Sequence, residues 1–599
     1  MNREAIVQGW ATPFKRLVLG ALILAGVSCA EESNRESIAD RQEGVVVDTA
    51  KSIALYYPES EDAYLLMNLR AGAGEAYPRV GAIKPGDSVR IVGLSIDSVW
   101  LLTSTGGWVV TRNVRTNCIP RLDISNLPVL EEVKSRDLVV VDDKIEALDS
   151  LFTLMADDGM FNGCVIAAAN GQIVMQKTLG YANFRTHRRL EPTTAFELAS
   201  DSKQFTAMAI MILKESGKLD YDDKITKFFP DFPAYGKEIT IRHLLNHTSG
   251  LVCYINEYML PEDERRVTNP MSILREQEGL HFEPGEKYRY CNTGYWLLGR
   301  IVEKVSGLDY ASFMREKIFE PLAMNHSYAI GDPRLPEADV ASCIVPDECS
   351  ETDPRTGSGY TYSETGPYGV LSCVVDLFTY DQALYDEKLV SKETLKEAFT
   401  PPILPNGNKS KYGFGWNIAK SPGGIRISHG GLKDGYQSWF ERHPETGSTL
   451  IILSNYYVLN GFEGLIDGVD DIFTFGHFRM PVGLISNKLF RMVMDDGTDN
   501  LQRRYDSLRV RRSGDFVFSE PLLVHAARLF LERDCLGEAL AVANVSVKEY
   551  PGSAAAYWVL GAAYRKLDNK EKAIACLKKS LQFDQGYEPS SSLLKSLEE

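Results

Sequence analysis

Apolar and polar positions follow three different rhythms along the chain. From residue 60 to 118, short alternating apolar runs are punctuated by Gly72, Gly74, Pro85-Gly86 and Gly106-Gly107. That pattern predicts short strands joined by tight turns, a small β-barrel. From 143 to 478 the stretch "GCVIAAANGQIVMQKTLGYAN" reads as a hairpin about Asn170-Gly171, helical segments follow, and the apolar run "STLIILSNYY" returns near the end. Strands at both ends with helices between predict one antiparallel sheet closed by the two termini, an α+β unit. From 520 to 587 the pattern repeats every 34 residues: Ala539 matches Ala573, Ala527 matches Gly561, Phe530 matches Tyr564, Ala543 matches Leu577 and Ser546 matches Ser580. Small and large residues so placed let two antiparallel helices interlock, and two repeats are predicted, about 520–553 and 554–587. Residues 30–59 read as a linker, polar at its start, and 479–519 as a helical one.

At 599 residues the chain is too long for one core, so a multidomain protein is expected, and a net charge of -16 argues against a nucleic-acid partner. Arg3, Lys15 and Arg16 flank "LVLGALILAGV", which is too short to span a bilayer and has signal-peptide flanks. The run ends in "GVSC", which resembles the processing site of a bacterial lipoprotein. Residues 1–29 are then a signal peptide and Cys29 is the lipid-bearing residue. The alternative is a plain secretory signal cut near Ser28; either places the mature protein outside the cytoplasm, in the cell envelope. Cys164, Cys291, Cys373 and Cys576 lie in apolar or helical contexts and read as buried thiols, while Cys343 and Cys349 form the one close pair. No Cys/His spacing fits zinc. His243 and His247 are four apart, but Leu244 occupies the place of a metalloprotease glutamate, so neither a metal nor a cofactor is expected.

The chemistry concentrates at "FELASDSKQFTAMAIMILKESGKL". Phe205, Met208, Ala209, Ile212 and Leu213 keep a helical period that Gly217 stops. Ser200 then falls in the first turn, with Lys203 on the same face. The helix start also offers free N–H groups and a positive dipole end. A serine hydroxyl needs a base to act as nucleophile, and a lysine serves if burial lowers its pKa. Alone the pair is weak, because serine caps helices routinely. Downstream, however, comes Tyr290-Cys291-Asn292 ahead of another amphipathic helix, and then a short strand reaching His429-Gly430-Gly431.

These three signals in this order resemble the penicillin-recognising serine hydrolases, which include class C β-lactamases, D-Ala-D-Ala carboxypeptidases, D-aminopeptidases and related esterases. "ITIRHLLNHTSGL", "GPYGVLSCVVDLFTY" and "YGFGW" support the likeness over 143–478. The resemblance implies a β-lactamase/transpeptidase-like fold in which Ser200 attacks a carbonyl and Lys203 helps take its proton. Tyr290 shuttles a proton to the leaving group, Asn292 orients the substrate amide or the lysine, and His429 stands where many relatives carry lysine. Gly431 lets the substrate approach the strand edge, and the backbone N–H groups of Ser200 and Leu432 hold the oxyanion. Asp201 is a departure from the pattern, and raises the pKa of Lys203 if it points inward. Residues 60–118 resemble the bacterial Src-homology-3-like module, and 520–587 the tetratricopeptide motif.

The expected protein is an exported, lipid-anchored serine hydrolase acting on amide or ester bonds of small peptides, β-lactams or esters. A cell-wall peptide is expected at the N-terminal module and a protein partner at the repeats. The competing expectation is a catalytically weak envelope scaffold that binds muropeptides or partners.

Overall fold

The computed structural model describes seven short strands between residues 53 and 130, then 138–140, and 143–598 apart from 254–269, 337–338, 346–349, 353–364, 422–423, 434, 457–460 and 476. Cys29, Cys349 and the turn glycines of the 60–118 stretch lie outside the described residues. The chain divides into two compact units, one within residues 13–136 and one from Asp137 onward. In the first, the strands pair in the order Ile53–Tyr56, Ser88–Ser95, Trp100–Thr103, Trp108–Val110, Met67–Arg70, Arg79–Ile83. Val129–Leu130 adds a parallel pair to Ser88–Ser95. The strand Ile53–Tyr56 falls within the stretch read as linker.

The second unit is built on a six-stranded antiparallel sheet. Its strands, numbered within this sheet, are β1 (Gly163–Ala169), β2 (Gln172–Leu179), β3 (Asn417–Ser421), β4 (Gly424–Lys433), β5 (Tyr436–His443) and β6 (Ser448–Ser454), in the order β2-β1-β6-β5-β4-β3. β1 pairs with β6, from Gly163↔Ser454 to Ala168↔Thr449, so the two ends of the segment do close one sheet. The β1–β2 hairpin turns at Asn170 (φ 51) and Gly171 (φ 69), the pair of positive φ values a two-residue primed turn requires. Every residue of β1 and β6 is buried, because both faces are covered. One face packs on the helices Lys144–Asp157 and Gly461–Phe475 through Leu151, Phe152, Leu465 and Ile472. The other packs on the helical half of the unit, through Phe205, Leu297, Tyr380 and Trp416.

Beyond the sheet, helices Ile485–Asp496 and Leu501–Arg511 lead into two helix pairs, Glu520–Leu531 with Leu536–Glu549 and Ala554–Lys566 with Lys570–Phe583, and a last helix Glu588–Glu598. The 34-residue equivalences fall on the helix contacts. Ala527, Ala539, Ala543, Ser546, Ala573, Leu577 and Ser580 are all fully buried, and a Cβ on Gly561 would meet Leu577 Cδ2 at 3.0 Å. Two pairs alone bury little, and here they share a core with the sheet-bearing half of the unit. Phe490 lies against Phe184 at 5.7 Å and against Phe530 at 4.9 Å, and Arg512 forks onto Asp158 at 3.0 and 3.1 Å. Among the described residues no helix is long and apolar enough to cross a membrane.

Candidate active site

Ser200 stands in a 3-10 turn, Ala199–Asp201, directly ahead of the helix Ser202–Glu215. The turn carries local strain: Ala199 has φ 49, a left-handed value that costs a non-glycine residue about 1 kcal/mol or more. Two braces hold it. Glu197 Oε1 accepts from Ala199 N–H at 3.1 Å and from Gly369 N–H at 3.0 Å, and Leu198 N–H donates to Val370 O at 3.0 Å. No side chain caps the helix start. The Ser200 hydroxyl instead accepts from Lys203 Nζ at 3.0 Å, which rejects the reading of Ser200 as a cap.

Lys203 is fully buried, and its ammonium also donates to Pro367 O at 3.1 Å. Burial pulls its pKa from 10.5 down to about 7, against the opposing pull of Cys253, Asp201 and Cys291 nearby. A neutral amine is thus present near neutral pH, one hydrogen bond from the serine. Tyr290 closes the group. Its ring centroid is 4.9 Å from Lys203 Nζ, and its phenol faces the Ser200 hydroxyl. Burial holds that phenol well above its ordinary 10, so it is a proton donor at rest.

His429 lies on β4 with its ring centroid 6.1 Å from that of Tyr290. Its Nδ1 bonds Gly430 O and its Nε2 bonds the Tyr412 hydroxyl, each at 2.8 Å. Since the carbonyl only accepts, Nδ1 carries the proton and Tyr412 donates to Nε2. Burial, then the charge of Lys203, pushes the His429 pKa down to about 3, so it brings no positive charge to the cleft. Asp201 does point inward: it is 1% exposed, with His429 Nδ1 at 3.6 Å and the Ser438 hydroxyl near, whose own proton goes to Leu198 O. Burial raises the Asp201 pKa well above the carboxylate range. A neutral acid there weakens the pull expected of it on Lys203.

Asn292 opens the helix Asn292–Ser306 and is 7% exposed, with its Oδ1 unpartnered. The lysine is held by Pro367 O, so of the two roles read for Asn292 the substrate contact is the one its free oxygen suits. Gly431 has a structural duty besides the one read for it: a Cβ would meet Leu198 O at 2.1 Å and Ala199 Cβ at 3.1 Å. Only glycine lets β4 lie against the nucleophile turn. The ladder between β3 and β4 ends at Asn417↔Ser428, so β3 leaves the stretch from His429 to Leu432 uncovered on that edge. The Leu432 side chain is 56% exposed.

Four residues escaped the sequence reading as site components: Glu197, His247, Pro367 and Tyr412. His247 packs its ring 4.3 Å from that of Tyr290 and 4.5 Å from that of Tyr412, and its Nδ1 accepts from Cys291 N–H at 3.1 Å. That bond fixes Tyr290 and Asn292 on either side of Cys291. His243 instead accepts from Thr240 N–H in a capping box, so the two histidines do separate things. The signal was present, since "NHTSGL", "GPYG" and "YGFGW" contain three of the four.

A half-buried serine and tyrosine around a fully buried lysine on a helix start, beside the edge of an antiparallel sheet, define a serine hydrolase of the β-lactamase fold. The family described as Beta-lactamase matches residues 148–467, and the chain belongs to that family. It is 40% identical over 329 residues to a penicillin-binding protein of Bacillus subtilis (strain 168), covering 52% of this chain and 72% of that one. To the D-aminopeptidase of Brucella anthropi it is 26% identical, covering 56% of this chain and 61% of that one. Among solved structures, the octameric penicillin-binding protein homologue from Pyrococcus abyssi aligns with a TM-score of 0.47 at 28% identity, over 55% of this chain and 77% of that one.

Proposed function

We propose that the protein is an exported, lipid-anchored hydrolase that cleaves amide or ester bonds through an acyl-enzyme on Ser200, with cell-wall peptides ending in D-Ala-D-Ala as its substrates. The observation that carries this reading is the 3.0 Å bond from a fully buried Lys203 amine to the Ser200 hydroxyl. In the neutral form Lys203 takes the Ser200 proton as the oxygen attacks the substrate carbonyl. The oxyanion is received by the Ser200 and Leu432 backbone N–H groups, where losing one donor costs about 3 kcal/mol. Collapse of the intermediate expels the amine or alcohol, protonated by the Tyr290 phenol, and leaves the acyl group on Ser200. The Tyr290 phenolate then takes a proton from water, whose oxygen attacks the acyl carbonyl; as the acid leaves, Ser200 regains its proton from Lys203 and the resting site is restored. Asn292 Oδ1 accepts from the substrate amide.

Support for the substrate comes from the relatives, a penicillin-binding protein and a D-aminopeptidase, and from the N-terminal run ending in "GVSC", which resembles a lipoprotein signal. In this reading the N-terminal strands form a bacterial Src-homology-3-like module that holds cell-wall peptide, and the two helix pairs are tetratricopeptide repeats that hold a protein partner.

The test is a substrate panel. The full chain should turn over a chromogenic ester, a fluorescent penicillin or a D-Ala-D-Ala peptide, and Ser200→Ala should lose that turnover; in cells, Cys29→Ser should release the protein from membranes. A wild-type protein inert on every carbonyl substrate supports the scaffold expectation instead, and unchanged fractionation removes the anchor.

A further inference from the structure

Two cysteines meet beside Lys203, each near enough to act on its charge. Cys291 sits between Tyr290 and Asn292, and its Sγ lies 3.5 Å from Leu251 O and 3.6 Å from Val252 O. The same two carbonyls accept from Arg289 Nη1 at 3.5 Å and from the Thr293 hydroxyl at 2.7 Å. Residues 289–293 therefore grip 251–252 through three side chains, and Cys253 comes next in the chain. Val252 O belongs to the peptide that enters Cys253, so the Cys291 sulfur is within about 7 Å of the Cys253 Cα. The Cys253 thiol faces the Cys291 thiol. Both are buried and reduced in this structure, as the sequence reading expected of Cys291.

We propose that Cys253 and Cys291 are a disulfide site, whose bridge ties the segment carrying Tyr290 and Asn292 to the end of the 251–253 stretch. The proposal goes beyond the hydrolase reading and takes from it only the exported location, where disulfide oxidants are kept. Geometry supports it. A bridge needs two sulfurs that can close to about 2 Å with little backbone movement, and side chains already turned toward each other meet that need. The surroundings support it too. Arg289 and Thr293 already hold the two stretches together, so the bridge adds a covalent link across a fixed junction rather than bending one into place. The chemistry is an exchange. One thiolate attacks a sulfur of an external disulfide, such as glutathione disulfide, and expels one thiol. The second thiolate displaces the other. Two cysteine thiols are oxidised to one bridge, the external disulfide is reduced to two thiols, and the protons pass from the cysteines to the thiols that leave. Burial of both sulfurs slows the exchange and, once the bridge is made, shields it from reductant. Closing a ring through residues 254–290 lowers the entropy of the unfolded chain, so the folded site gains stability.

The experiment starts from the full chain reduced with dithiothreitol. One portion is kept reduced, and the other is held in glutathione disulfide until its thiol content is constant. Both are alkylated in denaturant and mapped as peptides without reduction, and the Tm of each is measured before alkylation. The oxidised portion should show a cross-linked peptide pair joining Cys253 to Cys291 and a Tm several degrees above that of the reduced one. Cys253→Ser and Cys291→Ser should each lose the cross-link and the Tm difference. Alkylated thiols at both positions, a glutathione adduct in place of the bridge, or a bridge that leaves Tm unchanged overturns the proposal. Neither readout depends on turnover. Failure of the hydrolase reading looks different: the bridge forms, with no Ser200-dependent turnover of p-nitrophenyl acetate in either portion. Failure of the export reading leaves protein taken from cells reduced, while glutathione disulfide still bridges it.

Discussion

Replacing Lys203 with methionine should reduce kcat/KM on any substrate by a factor on the order of 10³ or more while making the fold more stable. Both effects have one cause, the burial of an amine whose pKa has dropped from 10.5 to about 7. That drop corresponds to about 5 kcal/mol held against the protonated side chain, which is what makes it a base at neutral pH. Methionine fills similar volume with no charge to desolvate, so a gain of about 1–4 kcal/mol is expected after loss of the contacts to Ser200 and Pro367. The sign with pH follows from proton counts. Between about pH 7 and 10.5 the unfolded chain binds the lysine proton and the folded one does not, so wild-type stability rises with pH across that window. The advantage of Lys203→Met should thus be largest at and below pH 7 and shrink toward pH 9, as read by urea unfolding. Wild-type kcat/KM should climb through about pH 7 as the amine loses its proton. A variant no more stable than wild type at pH 6 would refute the burial argument, and a flat pH profile would refute lysine as base.

The second large effect belongs to Gly431. Adding one methyl there would bring Cβ to 2.1 Å from Leu198 O and 2.4 Å from Ser438 Oγ, and the first of these is backbone of the nucleophile turn. The turn and β4 must part by about 1 Å, and misplacement of that size costs on the order of a hundredfold in rate. Gly431→Ala should therefore lose at least that much kcat/KM and about 1–3 kcal/mol of stability. Its neighbour supplies the control. A Cβ on Gly430 meets the Trp439 ring at 3.0 Å and points to the opposite face, away from Ser200. Gly430→Ala should lose far less rate. Similar losses in both variants would mean that the contact with the nucleophile turn is not what sets activity.

Local signals were legible in the sequence because they need only local geometry. Ser200 and Lys203 are one turn apart, and the Asn170-Gly171 hairpin declares itself by its turn residues. The closing of the sheet by β1 and β6 was also readable, since burial on both faces leaves near-continuous apolar runs. Tyr412, His247 and Glu197 were not assignable in the same way. Each acts on a residue far off in the chain (Tyr412 on His429, His247 on Cys291, Glu197 on Gly369), and no spacing encodes such a contact. Asp201 was visible as a departure, but its charge state depends on burial, which a sequence does not print. Gly431 was read for the substrate it admits, whereas the atoms it also makes room for belong to the protein itself.

The central claim is that a carbonyl becomes covalently attached to the Ser200 oxygen under Lys203 and Tyr290. Intact-mass measurement of the full chain quenched in acid after exposure to a penicillin or an activated ester, followed by peptide mapping, tests it most directly. The account predicts one added acyl group, on the peptide that carries Ser200, and none in Ser200→Ala. An adduct on another residue, or one that persists in Ser200→Ala, would contradict it.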